Sequence, residues 1–84
     1  MTAIDFRDAH LKALAAIEEM ASEQGLGSLV ILDQLVVETP EAWYFPYDSE
    51  AFVVRGEISE ALAGNLPVRV ARDGTSVRFE QPGG

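Results

Sequence analysis

The sequence contains no cysteine. That excludes a disulfide framework, thiolate nucleophiles and cysteine-ligated zinc. Histidine occurs once, at position 10, so any metal site or acid–base pair would have to be built from that residue and carboxylates. No apolar run approaches the ~20 residues that span a bilayer as a helix. Cationic side chains are scarce, with 6 Lys and Arg against 14 Asp and Glu and a formal net charge of −8. Such a chain is repelled by nucleic acid and by anionic membrane surfaces, and it attracts basic proteins. Asp5, Asp8, Glu18 and Glu19 fall within a helical pattern, which is the wrong charge layout for a signal peptide. The expectation is a soluble protein of the cytoplasm.

What is present fits one small domain. The chain has 84 residues, read here as a domain over 1–80 followed by a flexible tail at 81–84, Gln-Pro-Gly-Gly. A chain this short buries only about 60–65% of its unfolded surface, so its stability should be modest. The acids are unevenly spread. Between 38 and 60 stand Glu38, Glu41, Asp48, Glu50, Glu57 and Glu60 against Arg55 alone, a local charge of −5. Residues 61–84 carry Arg69, Arg72 and Arg78 against Asp73 and Glu80, a local charge of +1. Charge by itself does not separate a solubilising surface from a binding one.

Periodicity supplies the elements. Residues 3–23 predict a helix, because Phe6, His10, Ala13, Leu14, Ile17, Met20 and Ala21 recur at helical steps on one face. Thr2 or Asp5 can cap its start and Gly25 its end, with Leu26 folding back. Residues 28–38 predict a strand that bends or bulges at Asp33-Gln34. Residues 42–48 predict a second strand, with Trp43, Phe45 and Tyr47 on one side and Tyr44 with Pro46 on the other, outside or under a loop. Pro46 removes a ladder donor there. After a turn at Ser49-Glu50, residues 52–55 predict a further short strand. Residues 67–71 and 75–80 predict a hairpin around a two-residue turn at Asp73-Gly74. That register sets Val70 opposite Val77 and Val68 opposite Phe79 on the core face. It also sets Arg69 opposite Arg78, a like-charge pair that needs an acid neighbour or else forms a cationic patch.

The segment from Arg55 to Val70, RGEISEALAGNLPVRV, is the punctuation between these strands. Gly56 and Gly64 suit backbone angles that other residues resist. Ser59 can cap a single helical turn through Ala63, Gly64-Asn65 can end it, and Pro67 launches the next strand. Together with the aromatic run Ala42-Trp43-Tyr44-Phe45-Pro46-Tyr47, this segment resembles the immunity protein 35 family, also called the YrhB-like domain. The resemblance rests on Trp43, Tyr47, Gly56-Glu57, Ala61-Leu62-Ala63-Gly64-Asn65, Pro67 and Val70, within residues 29–79. It departs at Ala71, where the family usually carries an acid, and at Gly74-Thr75, where it carries a Thr-Gly turn.

The expected fold is α+β: an N-terminal helix packed on an antiparallel sheet of four or five strands, with a one-turn helix before the last hairpin. Motifs for chemistry are missing. Gly25-Leu26-Gly27 ends a helix instead of opening one, so it is no phosphate loop. No serine stands in a nucleophile elbow. His10 lies on a packing stripe with no second ligand or nucleophile beside it, the pattern of a half-buried histidine bonded to a neighbour. The acid pairs Glu18-Glu19, Glu38-Glu41 and Glu57-Glu60 lack calcium-loop spacing and read as solvated. No catalytic residue, metal or cofactor is expected. The resemblance implies a bacterial immunity protein of a polymorphic toxin system that binds and neutralises a cognate toxin stoichiometrically. Its partner would be a protein with a basic surface, met through Glu38, Glu41, Tyr44, Tyr47, Asp48, Glu50, Glu57 and Glu60. The alternative is a small chaperone-like or regulatory module that binds exposed apolar segments.

Overall fold

The computed structural model describes residues 3–62 and 64–83. The possible cap at Thr2, the motif residue Ala63 and the tail residue Gly84 lie outside them. Helix α1, Phe6–Gln24, starts at Asp5, whose carboxylate accepts the Asp8 N–H at 2.8 Å. It ends at Gly25, with the Leu26 N–H returning to the Ala21 carbonyl at 2.9 Å. The buried face is Ala9, Ala13, Ile17 and Ala21, with Ala16 and Met20 beside it. The stripe is therefore rotated slightly from its predicted centre. Ala9 belongs to it, while Phe6 lies half exposed at its margin.

The strands divide into two antiparallel ladders. The larger has four strands in the order β2-β3-β5-β6: Val37–Glu38, Ala42–Phe45, Val68–Ala71 and Val77–Phe79. In the smaller, β1, Leu29–Ile31, pairs with β4, Tyr47–Ser49. Both predicted long strands are broken to make this arrangement. Residues 33–35 form a 3-10 turn at the expected bend, so β1 and β2 enter different ladders. Pro46 separates β3 from β4; it has no N–H to give, but its carbonyl accepts the Leu32 N–H at 2.8 Å. The fold is α+β, as expected, with α1 covering one face of the four-stranded sheet.

The core lies between that face and α1. Phe45, Ile17, Val68 and Val70 are fully buried, each contributing about 1.5–3 kcal/mol of transfer free energy. Trp43 and Tyr47 join them, and Phe6 and His10 pack their rings on Phe45 at 5.7 Å between centroids.

The final hairpin keeps the predicted pairs Val68–Phe79, Arg69–Arg78 and Val70–Val77. Its turn differs. Ala71 accepts the Gly74 N–H at 2.9 Å and pairs with Ser76 at 3.0 Å, so the connection runs over four residues, Arg72 to Thr75. The Arg72 N–H is taken by the Glu41 carbonyl at 2.9 Å, and the Asp73 carboxylate takes the Thr75 N–H at 2.9 Å and its hydroxyl at 2.6 Å. Adding one residue to each side leaves the register unchanged. The opposed arginines have their acid: Glu80 lies 2.9 Å from Arg78 and 3.7 Å from Arg69.

Two further elements differ from expectation. The predicted strand at 52–55 is helix α2, Glu50–Arg55. The predicted turn capped by Ser59 is a 3-10 turn at Ile58–Glu60, preceded by Glu57 with no side-chain cap.

Candidate functional site

Helix α2 exists because of its ends, since Phe52-Val53-Val54 alone favours a strand. The Ser49 hydroxyl accepts the Phe52 N–H at 3.1 Å. At the other end Gly56 takes φ +69°, and the N–H groups of Gly56 and Glu57 return to Phe52 and Ala51 at 2.9 and 3.1 Å. Asp48 fixes the entry. One carboxylate oxygen accepts the Ser49 N–H at 2.7 Å and the Leu62 N–H at 2.8 Å, tying both ends of the α2 excursion together.

The helix presents aliphatic side chains to solvent. Val53 is 44% exposed, Val54 69% and, in the following turn, Ile58 80%. Val53 lines a shallow hollow with Leu35, itself 62% exposed, and Ile31 and Leu32. Glu50, Glu57 and Glu60 line a second hollow with Arg55, Gly27 and Ser28. Arg55 Nε donates to Glu57 at 2.6 Å, and its Nη1 lies 3.9 Å from Glu50. This hydrogen bond, with the neighbouring carboxylates, pushes the guanidinium pKa up.

The residues expected to meet a partner therefore fall into three sets. Glu50, Glu57 and Glu60 share the α2 end. Glu38 and Glu41 flank the β2–β3 turn at the opposite end of the β3–β4 run. At ~3.3 Å per residue, the eight residues of that run would span up to ~25 Å. Glu38 also accepts the Trp43 indole N–H at 3.3 Å. Asp48, Tyr44 and Tyr47 form the third set, which is structural. Tyr44 and Tyr47 are 6% and 5% exposed, so of the two positions expected for Tyr44, outside or covered, the structure has the covered one. Tyr47 faces the core, where burial pushes its pKa up. Tyr44 lies on the other face beneath Arg69, whose Nε donates to its hydroxyl at 3.3 Å. Leu35, Val53, Val54 and Ile58 were not singled out by pattern. A signal was available: Ser49 and Gly56 are spaced as the start and stop of a short helix.

His10 behaves as read, half-buried and bonded to a neighbour: its Nε2 lies 3.0 Å from Asp33 Oδ1, pinning α1 to the 3-10 turn after β1. Among the described residues no group of three or more acids and histidine is arranged to hold a metal ion, and no helix is long and apolar enough to cross a membrane. A groove between the end of α1 and β4 is lined by Met20, Leu26, Tyr47, Leu62, Leu66 and Phe79. Asn65 closes one side, its amide donating to the Tyr47 carbonyl at 3.1 Å.

The sequence pattern of the immunity protein 35 family matches residues 7–83. The chain belongs to this family. The match takes in α1 as well as the strands, so the immunity protein 35 domain comprises both layers of the fold. No curated protein and no solved structure matches the chain. Immunity-protein membership implies a toxin-neutralising role. The residues that carry the resemblance serve the frame: Trp43 and Tyr47 lie in the core, Gly56 ends α2, and the Asn65 amide bonds to β4.

Proposed function

We propose that this chain protects its producing cell by binding a cognate protein toxin in a one-to-one complex and blocking it without turnover. Family membership over 7–83 carries this reading. The local charge of −5 between 38 and 60 supports a partner with a basic surface, because complementary potentials steer and speed encounter. On this reading the contact acids are Glu50, Glu57 and Glu60, with Glu38 and Glu41 as a separate outer pair. Asp48, Tyr44 and Tyr47 hold the scaffold beneath them. The producing cell's cytoplasm is the compartment in which such protection would act.

The test is co-expression. The genes adjacent to this one are sequenced, and a toxin domain encoded there should arrest growth when expressed alone, with growth returning when this chain is supplied. Arrest that persists with soluble, folded chain present would overturn the reading.

A further inference from the structure

Resting on that reading, we infer that the toxin is gripped at the α2 face: Leu35, Val53, Val54 and Ile58 form the apolar contact, and Glu50, Glu57 and Glu60 form its charged rim. The occupant is a cationic protein segment that offers aliphatic or aromatic side chains between Lys or Arg residues.

Single exposed aliphatics are ordinary on a small domain; here Val53, Val54 and Ile58 fall within six residues of chain, and Leu35 lines a hollow with Val53. At 100° per residue, Val53, Glu50 and Val54 fall within one sector of α2, while Ala51, Phe52 and Arg55 turn away from it. Val53 and Leu35 line one hollow, which joins α2 to the 3-10 turn after β1. Ile58 stands two residues after the left-handed Gly56 that ends α2, and it is the most exposed large aliphatic among the described residues.

This set is also held in place. Asp48 bonds both ends of the excursion, Ser49 caps the helix, and Gly56 closes it. Side chains mounted on fixed backbone lose less freedom on binding, so more of their burial appears as affinity. Asp73, Glu80 and Asp48 are spent on internal bonds, and so is Glu57, which accepts from Arg55 Nε. Around α2 the three glutamates face one arginine. An apolar centre with a polar rim is the layout of a specific protein interface, and here the rim is net negative. The negative rim selects the occupant: acidic or neutral apolar segments gain nothing from it, and a second copy of this chain would bring like charge against like.

The probe is a purified toxin domain whose growth arrest is scored in that co-expression test, measured for association and dissociation against the full chain at low and high salt. Val54→Ser combined with Ile58→Ser should retain the wild-type melting curve and weaken binding about 30-fold or more, mainly through faster dissociation. Glu50→Gln, Glu57→Gln and Glu60→Gln together should slow association about tenfold at low salt, a difference that closes at high salt. Leu11→Ser, on the exposed side of α1, should change neither rate. Wild-type binding with unchanged rates in both α2 variants overturns the inference while leaving the proposed function standing. Absence of wild-type binding overturns the proposed function, and the inference falls with it. A wild-type dimer in sedimentation that Val54→Ser with Ile58→Ser converts to monomer would show the face to be occupied by a second copy, against the inference.

Discussion

The guanidinium of Arg72 lies over the indole of Trp43, with its central carbon 4.1 Å from the ring centroid. The same side chain donates from Nε to the Thr39 carbonyl at 2.9 Å. One residue at the hairpin thus caps the first aromatic of β3 and closes the β2–β3 turn. Arg72→Ala removes both contacts and should lower unfolding free energy by about 2 kcal/mol in denaturant titration. Arg72→Lys keeps the charge but loses the planar donor, and should recover less than half of that. Equal stability of wild type and Arg72→Ala would contradict this assignment.

Gly64 stands at φ +75°, and a Cβ added there would meet no atom within 4 Å. The cost of substitution is therefore backbone strain alone, about 1–3 kcal/mol for a β-branched residue. Gly64→Val should lower the melting temperature and leave toxin affinity intact. If the melting temperature holds and binding disappears, the corner is a contact site.

How much of this was legible in the sequence depends on how local its cause is. The hairpin register could be read because Val68, Val70, Val77 and Phe79 alternate, and alternation fixes which face is buried. The turn could not, because Arg72 gives its N–H to Glu41, far away in sequence. Helix α2 was missed because its β-branched interior outvoted its caps. The burial of Tyr44 depends on Arg69, 25 residues later, and no periodicity reports such a contact. The candidate site divided for the same reason. The acids are close in sequence, but β3 and β4 carry Glu41 and Glu50 to opposite ends of an extended run.

His10 bonds Asp33 and packs edge-on against Phe45, and it has no part in the proposed contact. His10→Gln can retain a bond to Asp33. It should cost at most about 2 kcal/mol and leave growth protection at wild-type level. Loss of protection by a folded His10→Gln protein would contradict this.

Burial of Tyr47 raises its pKa above the ordinary value of 10.0. The folded state thus favours the neutral phenol. That contribution to stability is present in full below pH 10.0 and is lost as pH rises through the higher folded value. In a Tyr44→Phe background the remaining tyrosine should ionise above pH 10.0 while the protein is folded. Tyr47→Phe should remove this part of the alkaline loss of stability. Ionisation at or below pH 10.0 in the folded protein would contradict the burial.

Stoichiometric blocking is tested most directly by titrating a fixed amount of active toxin domain with this chain and following residual toxin activity. With toxin well above the dissociation constant, activity should fall linearly and reach zero at one equivalent. Complete loss at a small fraction of an equivalent would reveal turnover, and activity that persists at large excess would show that the chain does not neutralise that toxin.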